Sequence, residues 1–586
     1  LEGKAGGRVP PELFHMDRFE ARRVIVEMLK AYKLLEKIEP HRHAIRHCYR
    51  CDTVVEPRLS DQWFVKMQPL AEPALAAYRR GEITFIPERR GDEYAQWLEN
   101  IRDWNISRQL WWGHRIPVWY CDTCGTSKAY REDPGACGTC GGSLRQDEDV
   151  LDTWFSSWLW PFSTLGWPDD TADLQRYYPT DVLVTAPEIL FFWVARMIFA
   201  GLHFMGRLPF HTVYLTGTVR DTRHRKMSKS LGNGIDPLDV VQRFGADALR
   251  FTVTNGLSVG TDIILDHTDL AASFASGRHF ANKLWNVGRL VLSHVSERPG
   301  AGSREPDLKS ADLRLSDRWI LSRLEECVRE TTGHYERFRL NDATGAPYHF
   351  LWDDFAAWYL EAIKPRLHGD EPGGDVARAV AVHCFSTVLR LLHPVMPFIT
   401  ETLFRRLPGN RDTTIVTAPW PRPAGPADPG AQQDFAFVQA VVGAVRAIRA
   451  DYNVKPGQPV PASLTGTTER QRGAVQAELG MVQRLAKVAE LGASAPAGSG
   501  AWEVLPGGAA VFVALGDAID VPKECQRLGD ELARLERQLA GLAGKLGNAA
   551  FIAKAPPDVI AGERAKQVAW TEKVTALGAK RKALGC

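Results

Sequence analysis

The stretch TDVLVTAPEILFFWVARMIFAGLHFMGRLPFHTVYLTGTVRDTRHRKMSKSLGN, residues 180–233, decides the fold of the first half of the chain. TDVLVT (180–185) reads as a buried strand, residues 188–205 as a helix apolar nearly all round, and TVYLTGTV (212–219) as a second strand. That order makes a βαβ unit, and such units build parallel sheets whose ligands bind beyond the carboxyl ends of the strands. Chemistry is therefore expected in the loop after Val219. This loop contains Arg225-Lys226-Met227-Ser228-Lys229-Ser230-Leu231-Gly232-Asn233 and leads to the helix-start pair Asp236-Pro237. Two lysines flanking small hydroxyl residues on a mobile loop can close on a polyphosphate. Their charge stabilises a departing pyrophosphate as it becomes more anionic.

The apolar helix is interrupted by Arg196 and His203 and falls short of the roughly 20 clean residues a bilayer span needs, so it reads as a buried core helix. No charged region followed by an apolar run opens the sequence, which makes the cytoplasm the default setting and no membrane the expectation. With 586 residues, 45% apolar and 24% charged, the chain suits about three to five globular domains and excludes a single small module, a collagen-like chain and a wholly disordered one. The net charge is only +2, so a nucleic-acid partner must be met by local basic patches.

In a reducing compartment paired CxxC spacings point to metal more than to disulfides. Cys121-x-x-Cys124 and Cys137-x-x-Cys140 stand twelve residues apart, each pair followed closely by glycine, which is the pattern of a zinc ribbon with four thiolate ligands. Four sulfurs leave no open coordination position, so the expected ion is structural. Cys48-x-x-Cys51 is half of a similar site; either its partner pair lies upstream of Leu1 or these are two ordinary thiols. Cys327, Cys384, Cys525 and Cys586 read as isolated. Trp104, Trp111, Trp112 and Trp119 crowd the segment DWNISRQLWWGHRIPVWYC (103–121) and are expected in the domain framework.

From about residue 262 helical periods dominate, with Pro/Gly-rich breaks at 298–306, 369–374 and 421–430. A short mixed segment ends in a strand-like run at 510–521. Leu528, Leu532, Leu535, Leu539, Leu542 and Leu546 then alternate spacings of 4 and 3, the seam of a coiled coil, and Ala555-Pro-Pro breaks it before a second helix, predicting an antiparallel hairpin. Residues 523–584 hold 12 Lys and Arg against 7 Asp and Glu, a local basic excess on a balanced chain.

KMSKS at residues 226–230 is similar to the second signature of class I aminoacyl-tRNA synthetases, and the surrounding text resembles the valyl family along nearly the whole chain. The resemblance is carried by VVEPRLSDQWFVKM (54–67), the tryptophan-rich segment 103–121, ILFFWVARM (189–197) and GADALRF (245–251). In the helical half it is carried by FRLNDA (338–343), WDDFAAWYLEAIKP (352–365), HPVMPFITE (393–401) and KLGNAAFIAKAPPDVI (545–560). The last segment resembles the coiled-coil arm of valyl enzymes, which isoleucyl and leucyl relatives lack. The resemblance implies ATP-dependent activation of valine, with Mg2+ accompanying the ATP, and transfer to the terminal ribose of tRNA(Val) by a monomer. Lys226 and Lys229 would carry the catalysis, with Lys226, Met227, Ser228, Lys229 and Ser230 contacting the ATP phosphates. Glu188 falls where the family's Thr-Gly-x-Asp turn holds the adenylate, here Thr185-Ala186-Pro187-Glu188. The alternative is an acidic first-turn residue favoured by the helix dipole.

The fold class expected is multidomain α/β plus all-α. The boundaries are 1–60 for the tail of an editing domain, 61–260 for the second half of a Rossmann-like catalytic domain with the ribbon at 117–145, and 261–312 for a stem-contact connection. A helical anticodon-binding domain at 313–425, a small mixed α/β segment at 426–521 and a coiled-coil tRNA-binding arm at 522–586 follow. A class I enzyme also needs a His-x-Gly-His-like signature, which is not found in these 586 residues. About the first third of a valyl enzyme is therefore expected upstream of Leu1, with the body of the editing site, and the chain alone is expected to be inactive. The alternatives are a noncatalytic tRNA-binding synthetase-like protein and an isoleucine-specific relative.

Overall fold

The computed structural model describes residues 10–48, 51–55, 59–296, 312–423, 425, 427–494, 500–516, 518–548 and 556–586. The expected break at 298–306, the first residues of the chain, Tyr49 and Arg50, and the 549–555 part of the arm segment lie outside them. The chain forms two compact units, Leu1–Val65 with Trp104–Val150, and Lys66–Asp103 with Leu151–Cys586.

In the first unit, helix Arg18–Ala31 starts at Asp17, whose carboxylate accepts from the Phe19 N–H at 2.9 Å. Phe64–Val65 pairs antiparallel with Trp104–Asn105. A three-stranded antiparallel sheet follows, with Val118–Cys121 between Ser127–Ala129 and Leu144–Gln146. The Asp147 carboxylate ties it down by accepting from the Trp63 indole and the Tyr120 hydroxyl, both at 2.8 Å. Of the four tryptophans expected in the framework, Trp104 is buried and Trp119 half-buried, whereas Trp111 and Trp112 are fully exposed. They sit on a bend outside the ladders that leads into Gly113, where the side chain of Val150 lies too close for a Cβ.

The second unit carries a three-stranded parallel sheet of β1 (Thr84–Ile86), β2 (Thr180–Thr185) and β3 (Phe210–Leu215), with β3 in the centre. The βαβ unit read at 180–219 is present and parallel, in register Thr212 to Val182. Strand β1 escaped the sequence reading because three residues are too few to show a period. The connection Pro187–Met205 is helical throughout, wound in wider turns at Leu190–Val194 and Gly201–Met205. Its central residues, Ala195 to Ala200, are all buried. At 19 residues and mean hydropathy 1.5 it is long and apolar enough to cross a membrane by length and composition alone, and half of it is buried in the fold.

The run at 212–219 is not one strand. It stops at Leu215, and β4 (Val219–Arg220) pairs instead in parallel with β5 (Ile263–Ile264). The switch occurs at Gly217, where any Cβ would run into the carbonyl of Thr261. The strand-like run at 510–521 is likewise shorter, a strand at Ala510–Ala514, because Asp520 caps the next helix by accepting from the Lys523 N–H at 3.0 Å.

One cluster of buried side chains runs from Phe251 through the helical region to Leu584. It includes α1 (Leu315–Glu336) and α2 (Pro429–Asp451), whose Trp319 and Phe435 rings stack with centroids 4.0 Å apart. A four-stranded sheet over 460–514 packs on the same core. Helices α3 (Val521–Gly547) and α4 (Pro557–Leu584) end the chain and pack against each other. Leu528, Leu535 and Leu542 are buried at a spacing of seven, with Leu532, Leu539 and Leu546 half-buried beside them. Cys525 and Cys586, read as isolated, form a disulfide across 61 residues. Sequence separation hides the pair because only the packing of α3 on α4 brings the start of one helix to the end of the other.

Candidate nucleotide site and thiol cluster

The polyphosphate candidate lies at the carboxyl edge of the parallel sheet. Chain leaves β2 at Thr185 and turns through Ala186 and Pro187 to Glu188, while β3 leads by way of β4 into the loop 221–233. The two segments meet where the Lys226 ammonium stands 2.6 Å from the Glu188 carboxylate. Lys226, with the Arg220 guanidinium nearby, holds the Glu188 carboxyl below the usual carboxylate range; the Lys226 hydrogen bond is the largest cause. Arg220 is paired with Asp262, which also accepts from the Thr218 N–H at 2.8 Å. Lys229 and Ser230 are exposed, and among the described residues no carboxylate pairs with the Lys229 ammonium.

The loop is anchored at its neck rather than mobile throughout. Asp221 is 1% exposed and accepts from the backbone N–H of Arg223 at 3.0 Å and of Arg225 at 2.9 Å, and from Arg225 Nε and Asn233 Nδ2, both at 2.9 Å. These contacts, the Asn233 bond first, hold its carboxyl far below the ordinary range. Asn233, equally buried, accepts from the Ser228 N–H at 2.9 Å. Met227 packs against a small core of Val240, Ile263, Leu265 and Phe274. The sequence reading missed Asp221 and Asn233. Their signal was available: two short polar residues bracketing a cationic loop, each able to bond backbone N–H groups.

The sulfurs of Cys121, Cys124, Cys137 and Cys140 all lie within 4.8 Å of one another. Cys121 and Cys140 are 3.5 Å apart, and Cys124 and Cys137 3.8 Å. A tetrahedral zinc ion with bonds of about 2.3 Å would hold its sulfurs about 3.8 Å apart, so these residues fit that ion. The Thr139 and Cys140 backbone N–H groups lower the Cys137 thiol to about 6, while, against a lowering Gly142 N–H, the neighbouring Cys121 and Cys124 sulfurs push Cys140 up to about 12. Both pairs share one turn. The first cysteine's N–H bonds to the carbonyl five residues on (Thr126, Gly142), and its own carbonyl accepts from the N–H four residues on (Gly125, Gly141). Cys48 makes the same two bonds with Thr53 and Asp52, and Asp52 takes the positive φ of 55° that the glycines take at the other knuckles. No third ligand joins Cys48 and Cys51 among the described residues. The Thr53 hydroxyl and backbone N–H lower the Cys51 thiol to about 7.

Comparison with known proteins gives this arrangement its family. Residues 20–266 match the family model of class I tRNA synthetases for isoleucine, leucine, methionine and valine, and residues 317–464 match the anticodon-binding domain of tRNA ligases. Residues 520–585, which contain α3 and α4, match the valyl tRNA synthetase tRNA binding arm. Over 560 residues the chain is 46% identical to the valine--tRNA ligase of Carboxydothermus hydrogenoformans, an alignment covering 95% of this chain and 62% of that one. The chain belongs to the valyl-tRNA synthetase family. A second valyl-tRNA synthetase relative, the valine--tRNA ligase of Symbiobacterium thermophilum, is 44% identical over 96% of this chain and 63% of its own. The chain thus spans a little under two thirds of the length of these valyl relatives. Methionyl-tRNA synthetase of Mycobacterium tuberculosis in complex with methionyl-adenylate aligns with a TM-score of 0.46 at 22% identity, over 61% of this chain and 65% of that one.

Proposed function

We propose that this chain is the pyrophosphate-handling and tRNA-binding part of a valine--tRNA ligase, which joins valine to tRNA(Val) at the expense of ATP. The observation that carries this reading is the Lys226 ammonium held at the carboxyl edge of a parallel sheet in a chain 46% identical to a valine--tRNA ligase. In the first step a valine carboxylate oxygen attacks the α-phosphorus of ATP, and the bond from that phosphorus to the leaving pyrophosphate breaks. The carboxylate is already a nucleophile, so no general base is required. Lys229, unpaired by any described carboxylate, and Lys226 balance the charge that grows on the pyrophosphate. Met227, Ser228 and Ser230 shape the loop around it, and Glu188 lies on the nucleotide side of the same edge. Mg2+ accompanies the ATP.

The Cys121, Cys124, Cys137 and Cys140 thiolates would hold one structural zinc ion, and Cys48 and Cys51 would supply half of a second site. Residues 1–60, 61–260, 261–312, 313–425, 426–521 and 522–586 serve as editing tail, catalytic half-domain, stem connection, anticodon bundle, mixed module and coiled-coil arm. The arm lies along tRNA phosphates, and the protein works as a cytoplasmic monomer. Valine-dependent exchange of labelled pyrophosphate into ATP tests the catalytic reading, and retention of tRNA(Val) tests the binding reading. Retention without exchange by this chain alone fits a part that needs further catalytic residues, in line with a sequence that contains no His-x-Gly-His. Absence of both exchange and retention would overturn both readings.

A further inference from the structure

We infer that Asp221 and Asn233 are positioning residues for the polyphosphate loop: together they form a buried clasp that closes its neck and fixes where Lys226 and Lys229 stand at the sheet edge. The inference deepens the nucleotide reading of this loop and rests on it. Asn233 Nδ2 donates to Asp221 Oδ2 at 2.9 Å and lies 3.4 Å from the Lys226 carbonyl, while Asn233 Oδ1 accepts from the Ser228 N–H at 2.9 Å. One side chain thereby holds the peptide groups on both sides of Met227. The Asp221 carboxylate gathers two backbone N–H groups and the Arg225 guanidinium at the same point. Both residues are 1% exposed, so their mutual bond is sheltered from competing water.

Beyond Ser228 the bonds thin out. The Ser228 and Ser230 hydroxyls lie 3.2 Å apart, the Leu231 N–H reaches Ser228 Oγ at 3.3 Å, and Lys229 to Gly232 are exposed. The loop therefore has a fixed root carrying Lys226 and a looser tip carrying Lys229. A fixed root lowers the ordering cost that a polyphosphate must overcome when it draws both ammonium groups together. Both clasp side chains are buried, and they act through the peptide groups and the Arg225 guanidinium they hold.

The test uses Asn233→Asp, which sets a second carboxylate against Asp221 and removes the donor. Asp221→Asn keeps an acceptor for the backbone N–H groups and serves as the second variant should the first fail to fold. The readouts are native-state tryptic cleavage after Arg225, Lys226 and Lys229, calorimetric binding of inorganic tripolyphosphate, and the melting temperature. Loss of hydrogen bonds to a charged group predicts cleavage and dissociation constant each raised about tenfold or more. The melting temperature should stay within about 2 °C, because the large core around Phe251 to Leu584 is untouched. Faster cleavage with unchanged tripolyphosphate binding would overturn the positioning role, and no change in either would overturn the clasp. If the wild-type chain takes up no tripolyphosphate, the nucleotide reading itself falls, a result distinct from equal binding by wild type and variants.

Discussion

Lys226 has one anion built in and is proposed to meet another. The Glu188 carboxylate stands 2.6 Å away, but both side chains are about half exposed, 58% and 45%, so the pair is weak and a polyphosphate can displace it. Glu188→Gln should therefore tighten tripolyphosphate binding by about two- to fivefold, the equivalent of an exposed ion pair; weaker binding in calorimetry would contradict the competition. The pH dependence follows from the direction of the shift. Lys226 depresses the Glu188 pKa, so the pair is intact above the ordinary carboxylate range and is lost as pH falls through the lowered value. Acidification through that range should act like the Gln variant. Deeper in the chain, Arg366 Nη1 donates to both oxygens of Asp317 in a fully buried pair, and the Tyr359 hydroxyl donates to Asp317 at 2.7 Å. Asp317→Ala strands the guanidinium and should cost about 3–5 kcal/mol in denaturant unfolding. The lysines were legible in the sequence because charge on a loop after a strand needs no partner to be noticed. Their pairing was not, since Lys226 and Glu188 are 38 residues apart and meet only when β2 and β3 lie side by side.

Among the elements, the thiol knuckles would be cross-linked by the proposed zinc ion, and the terminal helices are joined by a disulfide. A zinc ion on four thiolates predicts one equivalent of zinc per chain by elemental analysis, and Cys137→Ala should abolish its retention against a chelator. Retention of the full equivalent by that variant would place the metal elsewhere. Once oxidised, the Cys525–Cys586 pair closes a loop of 61 residues, for which chain entropy gives a stabilisation of about 4 kcal/mol that a reducing compartment withholds. Reduction, or Cys586→Ser, should destabilise helices α3 and α4 first, seen as loss of helical signal at lower denaturant. The leucine spacing of seven and the CxxC spacing are local patterns, so both were visible in the sequence. The disulfide and the end of the strand at Leu215 were not, because they depend on what packs opposite: α4 against the start of α3, and Thr261 against Gly217.

At the scale of the whole molecule, an α/β sheet carries the cationic loop, and a continuous helical core ends in a helix pair that matches the valyl tRNA synthetase tRNA binding arm. Arg534, Arg537 and Arg564 are exposed on α3 and α4. Reversing all three to Glu should weaken tRNA(Val) binding and flatten its salt dependence by about 0.7 for each phosphate no longer neutralised; an unchanged slope would remove the arm from the RNA interface. The order of α/β unit, helical region and terminal helix pair was legible because periodicity changes at each junction, whereas local patterns did not reveal that one core joins the described helices and sheet between Phe251 and Leu584. The loop 225–233 is proposed to be the polyphosphate grip of this fold. Its most direct measurement is residue-resolved acylation of lysines with and without ATP or tripolyphosphate. Lys226 and Lys229 should become protected several-fold while exposed lysines elsewhere, such as Lys523, keep their rates. Equal labelling of Lys226 and Lys229 in the presence and absence of the polyphosphate would contradict it.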